Sequence, residues 1–363
     1  MSSITTALTR LLGIRHPILL AGMAGGPTTP ELVAAVSRAG GLGVFGVAGM
    51  STDAVREVVA AAVRMSGGAP VGVNVLISPV VPRPGADAAR MGEVLAPMRA
   101  ELGIPHPPPA APAPASPADL VQAGLEAGAR VVATGLGDPA PVTSLARNAG
   151  VPLIAMVSTT EEARIVVEGG ADVVVAQGGE AGGHRSNFRV PEDGSVPLVG
   201  TMALVRQVAL AVDVPVVAAG GIMDGAGLAA ALALGAAGVQ LGTAFLVASE
   251  AGVPDGWRDL VRSARDDETI ITRALSGRPA RGLPNAITLS LDAPGAMGWP
   301  EQNAVASDVR RAAARAGRTD LMALWAGQAA ALAGENRPAD QILTGIVDDA
   351  CEEIRRLEGI ISP

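Results

Sequence analysis

One histidine stands where chemistry is easiest to picture. His184 closes the run Val174-Val-Ala-Gln177-Gly-Gly-Glu180-Ala-Gly182-Gly-His184, in which four glycines surround one carboxylate. An unperturbed imidazole titrates near neutrality, so it can exchange a proton or hold an anion. A lone histidine more often has a structural task, but this one follows an apolar run at the place where a barrel or open sheet keeps its active site. The other two histidines are weaker candidates: His16 precedes Pro17 ahead of the first apolar run, and His106 lies in a Pro-rich stretch. No set of histidines or carboxylates accompanies His184, so no metal is expected.

Two further segments point to a phosphate. Pro215-Val-Val-Ala-Ala-Gly220-Gly221-Ile222 is followed by a helical stretch, and Gly238-Val-Gln240-Leu241-Gly242-Thr243 echoes it. Glycines at the end of a strand let backbone N–H groups approach an anion, and a following helix adds the positive end of its dipole. Glycines alone would also make tight turns. Two such loops on the last two strands favour the phosphate. A third segment, Ala21-Gly22-Met23-Ala-Gly-Gly, is small enough for a flat ring to lie against its backbone. Asn74 and Gln177 would supply amides at the polar edge of that ring, although each would serve equally to satisfy backbone groups at a barrel mouth.

These segments need elements to place them. Short apolar runs recur at 18–21, 43–47, 71–76, 131–134, 153–157, 173–177, 216–220 and 239–242. Runs of four to six residues without polar alternation fit parallel strands covered on both faces. Helical signals lie between them: Thr29 and Pro30 suit a cap and a first position, and 158–162 opens a helix that ends at Gly169-Gly170. Eight alternating units predict a (β/α)₈ barrel over 1–277, with its site at the C-terminal ends of the strands. Two stretches interrupt the pattern. One is a Pro-rich insertion at about 78–117 with one helix at 86–102. The other is a C-terminal helical extension, 278–363, packed at the barrel mouth, with helices expected at 307–316 and 319–332.

Composition narrows the classes. Nearly half of the 363 residues are apolar and 17% are charged, as a large core requires. A net charge of −8 and the lack of an arginine stripe exclude a nucleic-acid surface. All 27 basic residues are arginine, which together with the absence of tyrosine reads as a compositional bias. Cys351 is the single cysteine, so neither an intramolecular disulfide nor a cysteine metal cluster can form. No targeting segment and no apolar run long enough to span a bilayer is read, so a cytoplasmic protein without membrane contact is expected.

At these residues the chain resembles the nitronate monooxygenase family, almost end to end. The resemblance is carried by Pro17-Ile-Leu-Leu-Ala-Gly-Met23, Gly72-Val-Asn74, Gln177-Gly-Gly-Glu-Ala-Gly-Gly-His184, Ala219-Gly-Gly-Ile222 and Gln240-Leu-Gly-Thr243. Ser276-Gly-Arg-Pro-Ala-Arg-Gly282 is similar too, and Leu324-Trp-Ala-Gly-Gln328 resembles the C-terminal segment of the bacterial class I members. The resemblance implies FMN as cofactor. Ala21, Gly22 and Met23 would lie by the isoalloxazine, with Asn74 and Gln177 on its polar groups. Gly182, Gly220, Gly221, Gln240, Leu241, Gly242 and Thr243 would surround the ribityl-phosphate end. His184 would be the catalytic histidine, binding the nitro group of a nitronate or taking the α-proton of a nitroalkane. The implied partners are that small molecule and dioxygen, with a homodimer allowed.

The family's pocket tyrosines and lysine are absent, and Trp299 stands as one aromatic substitute. Flavin-dependent enoyl-acyl carrier protein reductases resemble the same Glu-Ala-Gly-Gly-His and Gly-Gly-Ile segments. An NAD(P)H:quinone reductase on the same scaffold is a third reading, and a flavin-binding barrel without turnover is a fourth.

Overall fold

The computed structural model describes residues 3–81, 88–105, 114–292 and 295–360. Eight parallel strands run around a barrel: β1 (Ile18–Leu20), β2 (Gly43–Gly46), β3 (Val71–Leu76), β4 (Val131–Gly135), β5 (Leu153–Val157), β6 (Val173–Gln177), β8 (Val216–Ala219) and β9 (Gly238–Leu241). β1 pairs with β9, and it reaches β2 through the Leu19–Leu42 bridge, which brings the sheet round on itself. Three short antiparallel strands, β7 (Gly183–His184), β10 (Ile270–Thr272) and β11 (Ala280–Gly282), form a second sheet in the order β10-β11-β7. Helices cover the barrel between consecutive strands, as eight apolar runs with capped connections predict.

The strands are apolar on both faces because both faces are buried. Leu19, Val44, Val131, Ala133, Ile154, Val173, Val175, Val217 and Ala219 fill the interior, while their neighbours in sequence pack outward on the helices. The capping residues act as their types predict. Thr29 accepts from the Leu32 amide at 3.0 Å, and Thr159 accepts from the Glu162 amide at 3.2 Å. At the barrel bottom the helix Ala7–Leu12 pushes Leu8 and Leu12 into the interior cluster. Thr6 fastens that plug by donating to the Ala237 carbonyl at 2.6 Å.

The second half of the chain closes the molecule in two places. The helix Ala339–Glu358 packs against the helices Gly225–Ala233 and Pro30–Arg38, where an eighth barrel helix belongs. The helix Ser307–Ala316 forms as expected, but 319–332 does not. That stretch holds only two short 3₁₀ turns, Thr319–Leu321 and Ala330–Leu332. Its middle is drawn out by long-range pairing: Leu283 N–H donates to the Leu324 carbonyl at 2.9 Å, and Gln328 N–H to the Glu180 carbonyl at 2.8 Å. Those bonds take the place of helical ones. In the Pro-rich insertion the helix is Ala88–Glu101, and His106 lies outside the described residues. No helix among the described residues is long and apolar enough to cross a membrane.

Candidate functional site

The site lies at the C-terminal ends of the strands, and the two-residue period of a strand decides what faces it. Val173 and Val175 fill the interior, so Gln177 points inward at the mouth; Val71, Val73 and Val75 pack outward, so Asn74 points inward. Val239 and Leu241 pack outward, which turns Gln240 inward and leaves only the main chain of Leu241 towards the mouth. Three side-chain amides therefore ring the opening. Those of Asn74 and Gln240 make no hydrogen bond within the described residues, and both are partly exposed. Gln177 is 4% exposed and committed: Nε2 donates to the His184 carbonyl at 2.9 Å, and Oε1 accepts from the Ser186 amide at 2.8 Å. Gln177 thus holds the turn that carries His184.

The glycine segments converge on the same mouth. A Cβ on Gly22 would stand 2.6 Å from that of Asn74, so the turn after β1 lies directly on β3. A Cβ on Gly242 would face Ala21 at 3.4 Å and the Met23 sulfur at 3.6 Å. Gly220 and Gly221 have φ of +111° and +72°, a left-handed pair that only glycine adopts without strain. Gly182 packs on the tail, since its Cβ would meet the carbonyl carbon of Ala326 and the amide of Gly327 at 2.6 Å. The same Gly327 amide donates to Thr243 Oγ1 at 2.9 Å. The residues expected at the cofactor and His184 therefore sit at one end of the barrel. The free amides of Asn74 and Gln240 and the left-handed Gly220-Gly221 pair suit a flat heterocycle with an anionic tail.

His184 stands over that end on β7, paired antiparallel with Ala280 of β11. Its Nε2 lies 2.8 Å from Ser276 Oγ. Two indoles flank the ring, Trp325 with centroids 5.5 Å apart and Trp299 edge-on at 6.5 Å. Burial, then the positive charges of Arg278 and Arg310, push the His184 pKa down to about 3. The ring is therefore neutral at ordinary pH, with one nitrogen engaged by a hydroxyl. His16, by contrast, is buried below the barrel, bonded through its main chain to Gly40, and plays no part at the mouth.

Sequence reasoning left several members of this site without a role. Ser276, Arg278 and Arg281 lie in a segment quoted only for its resemblance, and Arg185 follows His184 unremarked. Arg185 donates to the Gly178 and Gln177 carbonyls, and Arg281 Nε donates to the Gly179 carbonyl at 2.9 Å. Both arginines thus stitch the glycine loop to the hairpin. The signal available was three polar residues in seven, at 276, 278 and 281, beside the glycines at 277 and 282. Among the described residues no group of three or more histidines, cysteines or carboxylates is placed to hold a metal.

Comparison with known proteins identifies the family. The model of the family "Nitronate monooxygenase" matches residues 5–349. A probable nitronate monooxygenase of Staphylococcus aureus (strain Newman) is 35% identical over 347 residues, covering 94% of this chain and 96% of its own. Another, from Staphylococcus saprophyticus, is 34% identical over 356 residues, covering 97% of this chain and 99% of its own. The crystal structure of nitroalkane oxidase from Streptomyces ansochromogenes superposes with a TM-score of 0.84 at 36% identity, covering 97% of this chain and 100% of that one. FabK from Thermotoga maritima superposes with a TM-score of 0.79 at 32% identity, covering 99% and 100%. With a family match over nearly all its length, the chain belongs to the nitronate monooxygenase family, a family of oxidoreductases.

Proposed function

We propose that the protein oxidises alkyl nitronates with dioxygen to a carbonyl compound and nitrite, using FMN. The observation that carries this reading is the placement of His184 over the mouth between two indoles, where burial and then Arg278 and Arg310 push its pKa down. Such a site receives an anion better than it creates one. A base is most efficient when its pKa lies near the working pH, and a ring pushed to about 3 is a weak one. A preformed nitronate therefore suits His184 better than a neutral nitroalkane. The ring's role is to hold the nitro oxygens or orient the α-carbon, while Trp299 and Trp325 exclude water from one side.

The residues present fit the cofactor. Asn74 and Gln240 would bond the polar edge of its ring, and Ala21, Gly22 and Met23 would form the floor beneath it. Gly182, Gly220, Gly221, Gly242 and Thr243 would hold the ribityl phosphate through backbone amides and one hydroxyl. Gln177, expected on the same edge, is instead held by the His184 carbonyl and the Ser186 amide. FMN bound there supplies the electron transfer between substrate and dioxygen.

A second reading, a nicotinamide-driven reductase, draws support from the likeness to FabK. One experiment separates them. The flavin-loaded protein is mixed anaerobically with propionate 3-nitronate, and separately with NADH and with NADPH, while flavin absorbance is followed. Bleaching by the nitronate alone, with nitrite released on admitting air, is the expected result. Bleaching by a nicotinamide alone would overturn the reading in favour of the reductase.

A further inference from the structure

Arg278 is 0% exposed, yet it has no carboxylate partner among the described residues. One Nη donates to Ser78 Oγ at 3.0 Å and the other to the Asn187 carbonyl, while Nε finds no acceptor. Asn187, which takes that bond on its main chain, leaves its own buried Oδ1 unpaired. Arg185 and Arg281 share this habit, bonding only carbonyls and a threonine hydroxyl.

The two carboxylates that act on these cations are spent elsewhere. Glu162 accepts from the Ser158 and Phe188 amides, and Glu180 accepts from the Thr201 amide and hydroxyl. Three buried guanidiniums thus face two carboxylates that ion-pair with none of them. A buried charge without a partner is costly, and such groups gather where a site needs their field. The main chain of Arg278 is also linked to the histidine through Ser276. Its amide donates to Ser276 Oγ at 3.3 Å, and that oxygen lies 2.8 Å from His184 Nε2.

We propose that Arg278 is the fixed positive charge whose field holds the anionic substrate at His184 without touching it, with Ser276 as the positioning residue that keeps the ring in register with it. The proposal rests on the nitronate reading above. The depressed pKa of His184 agrees with it. After burial, Arg278 is the largest contributor and Arg310, from the helix Ser307–Ala316, the next. Glu162 acts on Arg278 rather than on the ring. The positive charge therefore stays on a guanidinium, which remains protonated at any working pH, while the imidazole stays neutral. In a chain without lysine, no ammonium can take this part.

The test uses the flavin-loaded protein and the variants Arg278→Met, Arg278→Lys and Ser276→Ala, each first checked for folding by circular dichroism and Tm. KM and kcat are measured for propionate 3-nitronate and for neutral nitroethane, binding of nitrite is read from the flavin spectrum, and His184 is titrated by NMR. With only three histidines, its signal is assignable. Arg278→Met is expected to weaken nitrite binding and raise the nitronate KM about tenfold, to leave the nitroethane KM within about twofold, and to move the His184 titration upward. Arg278→Lys is expected to restore most of the anion binding. Ser276→Ala should keep anion binding within a few-fold but lower kcat and shift the ring's titration. If Arg278→Met does not fold, Arg278→Lys and Ser276→Ala decide the matter by the same three readouts. A folded Arg278→Met protein with unchanged nitrite binding and unchanged His184 titration would overturn the proposal. Should the wild type oxidise no nitronate while both readouts still shift, the functional reading fails and the role of Arg278 survives.

Discussion

The two ends of the mouth prepare for negative charge by different means. At the β8–β9 end the groups are main-chain amides beside the glycines at 220, 221 and 242. At the hairpin end they are the buried side chains of Arg185, Arg278 and Arg281, in and beside the short strands that carry His184. Main-chain donors cost no desolvated charge and suit a group held permanently. A buried guanidinium projects a field without contact and suits a substrate that comes and goes. On the reading proposed above, the first end would bind the cofactor and the second would meet the substrate.

His184→Asn breaks the reacting end and should have the largest effect. Turnover of propionate 3-nitronate is expected to fall by roughly 10–100-fold, while the flavin stays bound, as absorbance after gel filtration will show. Undiminished turnover would remove His184 from the mechanism. The same variant tests the pH linkage. A histidine whose folded pKa is lowered to about 3, against an ordinary value of 6.5, binds its proton less in the native state. Native stability should therefore fall as pH drops below about 6.5. In urea titrations at pH 7 and pH 5, the asparagine variant should lose less on acidification.

Gly220→Val attacks the other end. At φ +111°, with a Cβ 2.8 Å from the Ala181 amide, valine is both strained and crowded. A strain on the order of 1–3 kcal/mol should cost tenfold or more in flavin affinity, measured by fluorescence of released flavin. If Gly220→Val retains its flavin as wild type does, the assignment of the phosphate to this loop fails.

Gln177→Leu joins the two ends, since Gln177 leaves the barrel ring to hold the hairpin. Two buried hydrogen bonds are lost, so stability should drop by about 1–3 kcal/mol and kcat should fall more than flavin affinity. Equal losses of both would mean that Gln177 serves the cofactor directly. The smallest effect is expected far from the site. Thr159→Ala removes a helix cap in the barrel wall and should cost about 1 kcal/mol by denaturant titration, with turnover and flavin content unchanged.

The barrel was legible because its signals are local. Eight apolar runs, the caps at Thr29 and Thr159, and the glycine pairs each declare themselves within a few residues. Strand periodicity then turns Asn74, Gln177 and Gln240 inward without further information. The hairpin was not legible. β7 is two residues long and pairs with a strand almost a hundred positions away, so no period announces it. The tail misled for the same reason. The stretch 319–332 reads as helical, yet its middle is bound to Leu283, Glu180 and Thr243, and that pairing outweighs local propensity.

What the sequence by itself determined is therefore the barrel, the end of it that carries the site, and the residue types gathered there. Strand and turn chemistry act over short separations and leave marks in the order of residues. Only the tertiary structure decided that Ser276 meets His184, that Trp299 and Trp325 flank it, and that Arg278 is buried without a carboxylate partner among the described residues. Electrostatic character depends on burial and on distances between remote segments, and neither is written in the neighbours of a residue along the chain.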